Sequence, residues 1–312
     1  MSKEAAMKAV RIHEFGGPEV IHLEDLPTPN IGPTDILVEV HAGSVNPVDY
    51  KIRNGGYVDE KKLPITLGRD IAGEVGACGA QVTAFKKGDA VYAMLPPQTG
   101  GFAECVSAPA EVCAKKPERL NWVQAAATPL AALTAWQGLF DHGRLNHGQR
   151  ILVHGASGGV GHFAVQFAVC RGAHVIATCR SDDRDFVRQL GAEAVVDYQH
   201  EDFASVAHDI DLVFDLIGGE TRERSWAVLR EGGTLVSTVG EPDQARAAQK
   251  KARGVGYLAQ PSGAQLTEIG RLIDEGHVRP YIDRVYPMAA SAEAERHLEN
   301  DHVRGKVVLA VG

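Results

Sequence analysis

The stretch "ILVHGASGGVGHFAVQFA" at 151–168 sets a β-type apolar run against an apolar pattern at helical spacing, with Gly155, Gly158, Gly159 and Gly161 between them. Few junctions constrain a fold more. Glycine permits a sharp turn and close backbone approach, while the following helix start offers unpaired N–H groups and partial positive charge. Gly155-x-x-Gly158-x-x-Gly161 after a strand and before a helix is the arrangement that binds a pyrophosphate, hence a dinucleotide. In the usual G-x-G-x-x-G register the first glycine falls at 156, where this chain has Ala156.

The surroundings agree with that reading. From 122 onward helical patterns (122–140, 159–171, 182–191, 200–208, 220–230) alternate with apolar strands (150–154, 173–179, 194–196, 211–215, 233–238, 254–259). Such alternation implies parallel strands joined by crossover helices, a doubly wound sheet. Residues before 120 read instead as short strands punctuated by glycine and proline, with one helical turn near 47–54. The tail returns to a mixed pattern: helix "GAQLTEIGRLIDEGHV", strand "RPYIDRVYPM", helix "SAEAERHLEN" and closing strand "GKVVLAVG". This predicts an α/β protein in which a β module is interrupted by the α/β unit and completed by the tail.

The strand "HVIATCRS" ends where an adenosine ribose would lie. An NAD-selective fold places Asp or Glu there; this chain places Cys179-Arg180-Ser181, with Asp182 and Asp183 after them. A guanidinium matches phosphate oxygens, so Arg180 favours a 2′-phosphate and NADP(H), whereas Asp182 turned inward would favour NAD(H).

The net charge of -8 argues against a nucleic-acid partner. The least charged stretch, 120–140, carries Asn121, Gln124, Pro129 and Gln137 and reads as buried helix rather than membrane span. The charged opening "MSKEAAMKAV" lacks an apolar signal core, and five cysteines without a CxxC read as reduced thiols, so a cytoplasmic location is expected.

With these regions placed, "MKAVRIHEFGGPEV", "VNPVDYKIRNG" (45–55), "LGRDIAGEV" (67–75), "GASGGVG" (155–161), "LGAEAVVDY" (190–198) and "GKVVL" (305–309) together resemble the medium-chain dehydrogenase/reductase family. More narrowly, they resemble its zinc-independent quinone oxidoreductase (zeta-crystallin-like) branch. The resemblance implies a GroES-like β-barrel catalytic domain, 1–119 completed by 261–312, with an inserted Rossmann doubly wound parallel-sheet domain at 120–260. Cofactor and substrate are then expected in the cleft between them, the pocket shaped by loops such as 53–63 and 95–101.

The zinc members carry ligands at positions that here hold Asn46, Arg69-Asp70 and Thr128-Pro129-Leu130. Only Asp70 is a metal-ligand type, so no zinc is expected, and Arg69-Asp70 is expected to form an ion pair instead. Without a Lewis acid the implied chemistry is hydride transfer from NADPH to a quinone or to the C=C bond of an α,β-unsaturated carbonyl, an enone or enal. There the protein supplies proximity, a hydrogen-bond donor and a proton.

Asn46 and Tyr50 are the candidate donors, with Asp49 and Lys51 as surface charges of the same helical turn. By position, Ser157, Gly158, Gly159 and Val160 cradle the pyrophosphate, while Arg180, Ser181 and Tyr198 surround the 2′-phosphate and adenine. Leu216, Ile217, Gly218, Val239 and Gly240 line the ribose and nicotinamide, and Thr128 and Thr134 the nicotinamide side. Lys306 is either a cofactor contact or a surface turn lysine.

Two other readings stand beside this one. An enoyl-thioester reductase would want a basic channel, and no dense Arg/Lys patch is present. A non-catalytic NADPH-binding protein is a role the fold permits. A homodimer is expected through the edge strand near 254–260, since exposed edges invite pairing.

Overall fold

The computed structural model describes residues 6–97 and 99–312. Met1–Ala5, half of the charged opening, and Gln98 in the 95–101 loop lie outside the described residues.

The chain begins with β1 (Ala6–Ile12), β2 (Ile21–Pro27), β3 (Asp35–Val45), α1 (Pro47–Arg53), β4 (Ile65–Thr66), β5 (Asp70–Cys78), β6 (Ala90–Met94), β7 (Cys105–Pro109) and β8 (Cys113–Lys115). Then come α2 (Trp122–Ala126), α3 (Pro129–Trp136), β9 (Arg150–His154), α4 (Gly161–Cys170), β10 (His174–Cys179), α5 (Arg184–Gln189), β11 (Ala194–Asp197) and β12 (Ile210–Asp215). After these follow α6 (Gly219–Ser225), β13 (Leu229–Ser237), α7 (Gln244–Gln249), β14 (Arg253–Gly256), α8 (Gly263–Asp274), β15 (Ile282–Pro287), α9 (Ser291–Asn300) and β16 (Lys306–Ala310).

Two compact units result: 1–130 with 261–276 and 280–312, and 131–260 with 277–279. The first boundary falls at 130/131 rather than 119/120. The helix expected over 122–140 divides into α2 and α3 because Pro129 lacks an N–H and restricts the residue before it, but suits a helix start.

In the first unit β3 alternates: Ile36, Val38, Val40 and Ala42 are buried while Glu39 faces solvent. It lies inside a sheet ordered β15-β16-β3-β5-β6-β8, with β7 also paired to β3. The tail returns through β16, antiparallel to β3 with Val307 opposite Val45 and Ala310 opposite Ala42. Val307, Val308 and Leu309 are fully buried, each worth about 1.5–3 kcal/mol against exposure, which is why the last residues close the first module. A smaller sheet, β2-β1-β4, completes this GroES-like unit.

The second unit is a six-stranded parallel sheet ordered β11-β10-β9-β12-β13-β14. Numbered within the unit this is 3-2-1-4-5-6, the Rossmann order, with its switch point between β9 and β12. The helix expected over 200–208 shrinks to one turn, Phe203–Ser205, because Asp209 reverses the chain with φ +52° just before β12. The sheet edges are β11 and β14, the latter being the edge strand expected near 254–260, here Arg253–Gly256.

Candidate functional site

At the switch point β9 ends on His154 and the chain turns at Gly155, whose φ of +72° suits glycine. Ala156 N–H donates to the Thr178 carbonyl at 3.0 Å, pinning the turn to β10, and Gly158 N–H donates to the Gly155 carbonyl at 3.2 Å. A Cβ at position 161 would lie 2.1 Å from the Gly155 carbonyl oxygen, so α4 can start only with glycine. A Cβ at position 158 would meet nothing nearer than 3.5 Å. The sharp turn thus uses Gly155, one position before the usual first glycine, which explains Ala156. The open face at Gly158 beside the α4 N-terminus is the shape a pyrophosphate requires.

Ile217 covers this turn: its Cδ1 lies 3.0 Å from where a Gly155 side chain would begin. Its position is set by Asp215, a buried carboxylate absent from the sequence reading. Asp215 Oδ1 accepts from the Ile217 and Gly218 N–H groups at 3.0 and 2.8 Å, and Oδ2 accepts from Ser237 Oγ at 2.8 Å. Ser237 Oγ in turn accepts from Val239 N–H at 3.2 Å. One carboxylate therefore sets both loops that carry Leu216, Ile217, Val239 and Gly240. An Asp three residues before a glycine pair was the available signal.

His154 is buried too. Its ring nitrogens meet Thr178 Oγ1 at 3.1 Å and Ser225 Oγ at 2.9 Å, and burial pushes its pKa down to about 4, so it stands neutral.

At the tip of β10 Arg180 is exposed, and its Nε donates to the Tyr198 hydroxyl at 3.1 Å. Ser181 Oγ donates to Asp197, and His200 Nδ1 lies 2.6 Å from the same carboxylate. The hydrogen bonds from Ser181 and His200 hold Asp197 down to about 2. Asp182 is exposed, and the buried member of the Asp182-Asp183 pair is Asp183. The strand tip thus offers a guanidinium and a phenol, a pair that fits a 2′-phosphate, while the Ser181 hydroxyl proton is spent on Asp197.

In the first unit Asn46 precedes α1 and is 1% exposed. Its Nδ2 donates to Asp70 Oδ2 at 2.8 Å and to the Ser44 carbonyl at 3.1 Å, while its Oδ1 accepts from Lys306 Nζ. Both amide hydrogens are committed, so Asn46 is a member of a buried network rather than a free donor. Asp70 also accepts from Ser44 Oγ and Leu130 N–H, each at 2.7 Å. Burial drives Asp70 up and Lys306 down; their mutual attraction opposes both shifts.

Lys306 is 3% exposed, not a surface turn residue. It, not Arg69, faces Asp70, at 3.8 Å; Arg69 Nε donates to the Leu95 carbonyl at 2.8 Å. Asp49, expected as a surface charge, is wholly buried and pushed up to about 7 by desolvation, against the Asn46 N–H it accepts at 2.8 Å. Tyr50, one turn into α1, is half-buried, and its hydroxyl makes no hydrogen bond among the described residues. Burial and then the Glu299 charge raise its pKa, keeping the proton on.

Thr128 and Thr134 are both buried, and Thr128 Oγ1 donates to the Gln124 carbonyl at 2.8 Å. No group of three His, Cys, Asp or Glu side chains able to hold a metal gathers among the described residues.

Residues 32–118 match the family model described as alcohol dehydrogenase GroES-like domain, and 190–309 the one described as zinc-binding dehydrogenase. The human protein named NAD(P)H oxidoreductase RTN4IP1, mitochondrial, is 34% identical over 99% of this chain and 90% of its own length. The Arabidopsis thaliana NADPH-dependent alkenal/one oxidoreductase, chloroplastic, is 33% identical over 97% of this chain and 79% of its own. Among solved structures, the quinone oxidoreductase from Coxiella burnetii matches with TM-score 0.91 at 37% identity, covering 99% of this chain and 100% of that one. The Escherichia coli quinone oxidoreductase complexed with NADPH matches with TM-score 0.86 at 26% identity, over 97% and 99%. The turn, the strand tip and these likenesses agree: the chain belongs to the medium-chain dehydrogenase/reductase family, on its quinone oxidoreductase-like side, as an oxidoreductase whose cofactor is NADP(H).

Proposed function

We propose that the chain is an NADPH-dependent reductase that passes hydride to a quinone or to the C=C bond of an α,β-unsaturated carbonyl, without zinc. The observation that carries the cofactor half is Arg180 with Tyr198 at the tip of β10, where an acidic residue would select NAD(H). Bound NADPH supplies the hydride. The chain's own residues bind and orient: the backbone at Ser157–Val160 and the start of α4 hold the pyrophosphate, while Arg180 and Tyr198 hold the 2′-phosphate beside Ser181. Ile217 and Val239, held in place through Asp215 and Ser237, cover the ribose and nicotinamide.

For an enone the acceptor oxygen gains charge as the β-carbon takes hydride. The protonated Tyr50 hydroxyl is the donor we assign to that oxygen. Absence of zinc is supported by Asp70: both its oxygens already accept hydrogen bonds and it faces a lysine. Five free thiols accord with the cytoplasmic location kept in this reading, and the exposed β14 edge with a homodimer.

The test is initial rates of NADPH and NADH oxidation with 1,4-benzoquinone, 9,10-phenanthrenequinone, methyl vinyl ketone and trans-2-hexenal. NADPH should be strongly preferred, and Arg180→Ala should weaken NADPH about tenfold or more while leaving NADH unchanged. Tight NADPH binding with no turnover on the whole panel would favour a thioester substrate or a binding role instead.

A further inference from the structure

An asparagine before a helix ordinarily turns its side chain to accept from the first helical N–H groups. Asn46 closes a capping box with Asp49 at the head of α1, yet its carboxamide also turns to three partners outside that helix. The backbone N–H of Asn46 is taken by Asp49 at 2.8 Å, and the side chain faces Lys306, Asp70 and the Ser44 carbonyl. The orientation of that carboxamide is dictated by its neighbours. An ammonium can only donate and a carboxylate only accept, so Oδ1 must meet Lys306 and Nδ2 must meet Asp70. Lys306 also donates to the Val45 carbonyl at 3.1 Å, the last residue of β3. A buried ammonium therefore grips the chain immediately before α1 from two sides. Tyr50 follows within that helix, with a hydroxyl nothing else among the described residues restrains.

A lysine buried at the head of a strand is a costly choice if it only fills space, since an apolar side chain of similar length would pack there without losing hydration. Departures from local rules of this kind collect at functional positions.

We propose that Lys306 is a positioning residue: through Asn46 and the Val45 carbonyl its ammonium fixes the head of α1, and with it the Tyr50 hydroxyl. This rests on the assignment of Tyr50 as donor. It makes Lys306 part of the reductase machinery as a residue that acts through Asn46 and the Val45 carbonyl.

The test is a double-mutant cycle in the full-length enzyme with NADPH and methyl vinyl ketone. Lys306→Met should lower kcat about 10–100-fold, leaving NADPH affinity, read by nucleotide fluorescence, within about threefold. Tyr50→Phe should cost about 100-fold in the wild type but less than about threefold in the Lys306→Met background. Equal Tyr50→Phe losses in both backgrounds overturn the proposal, because a merely structural lysine gives additive effects. Should Lys306→Met fail to fold, Asp70→Asn/Lys306→Met removes both charges together and the same cycle is run on it.

A second readout does not depend on turnover. The Asn46 side-chain amide, followed by 15N NMR of asparagine-labelled protein, should lose its protection from exchange in Lys306→Met. An unchanged signal likewise sinks the proposal. If Tyr50→Phe is as fast as wild type, the donor assignment has failed, and the Asn46 signal alone then decides whether Lys306 holds the head of α1.

Discussion

In the six-stranded unit the charged group that would meet a ligand stands in solvent, Arg180 at a strand tip beside an exposed Tyr198. The seven-stranded sheet's unit does the opposite and keeps Lys306, Asp70, Asp49, Arg53 and Glu295 inside. The first arrangement suits a ligand that brings its own charge: an anion arrives, and backbone N–H groups and one guanidinium are enough. The second suits a site that must hold geometry with no ligand present, because buried charges tolerate only the arrangement that satisfies them all. One unit recognises; the other is braced.

If the bracing is electrostatic, the largest single loss in the molecule should come from Arg53. Its Nη1 meets Glu295 Oε2 at 2.8 Å, its Nη2 meets Glu299 Oε2 at 2.7 Å, and its Nε donates to the Gly16 carbonyl at 3.1 Å. At pH 9, above the value of about 8 to which burial raises Glu295, Arg53→Met leaves that carboxylate buried without a counter-ion and should cost about 3–5 kcal/mol, read from urea unfolding. A loss below about 1 kcal/mol would mean that Glu295 already sits neutral, and the contrast between the units would weaken accordingly.

The same contrast governs what could be read from the sequence. The dinucleotide turn is written in consecutive residues, since Gly155, Gly158 and Gly161 act through backbone geometry within one loop. The strand–helix alternation around it is equally local. Arg180 was legible because strand tips in this topology have fixed roles. The polar centre of the first unit was not legible: Lys306 meets Asn46 across a sequence separation of 260 residues, and Arg53 meets Glu295 across 242. Nothing near Lys306 in "RGKVVL" distinguishes a buried ammonium from a turn lysine. Asp49 looked like a surface charge because α1 is short, but it faces Asp70, Lys306 and Arg69, which come from elsewhere along the chain. Asn46 was picked out by likeness, yet likeness could not show that its amide hydrogens were spent.

Acid and base should separate the two units. Asp49 and Glu295 have folded pKa values raised from 3.8 to about 7 and from 4.5 to about 8, both chiefly by burial. The Asp49 charge also raises Glu295, so they titrate as a pair. Raised acids bind protons more tightly in the folded state. Their contribution is fully present below about pH 4 and is lost as pH climbs to about 8. His154 runs the other way, lowered from 6.5 to about 4. The unfolded chain binds that proton more tightly, so stability is lost as pH falls from 6.5 toward 4. Each of the three groups carries on the order of 3–5 kcal/mol, so the two-acid arm is the larger. Amide hydrogen exchange, corrected for intrinsic rates, should show β3 and β16 losing protection between pH 6.5 and 8, and β9 and β12 between pH 6.5 and 5. Protection that moves together in all four strands would show that the units open as one, and would break the comparison on this axis.

The smallest effects lie in the recognising unit, where two glycines three residues apart should answer differently to the same substitution. Gly161→Ala places a methyl 2.1 Å from the Gly155 carbonyl oxygen and 2.7 Å from the Ala156 Cα. Both are backbone atoms that cannot swing away, so the turn must deform at a cost of about 1–3 kcal/mol. Melting temperature and NADPH affinity should therefore fall together. Gly158→Ala meets nothing closer than 3.5 Å and requires no left-handed backbone. Stability should hold within about 0.5 kcal/mol, while the new methyl stands on the open face of the turn. Affinity should fall alone, because a pyrophosphate needs that face bare for close backbone approach. Were Gly158→Ala to bind NADPH as tightly as the wild type, the phosphates would not lie against this turn. The glycines would then serve only the junction of β9 and α4, and the case for recognition would rest on Arg180.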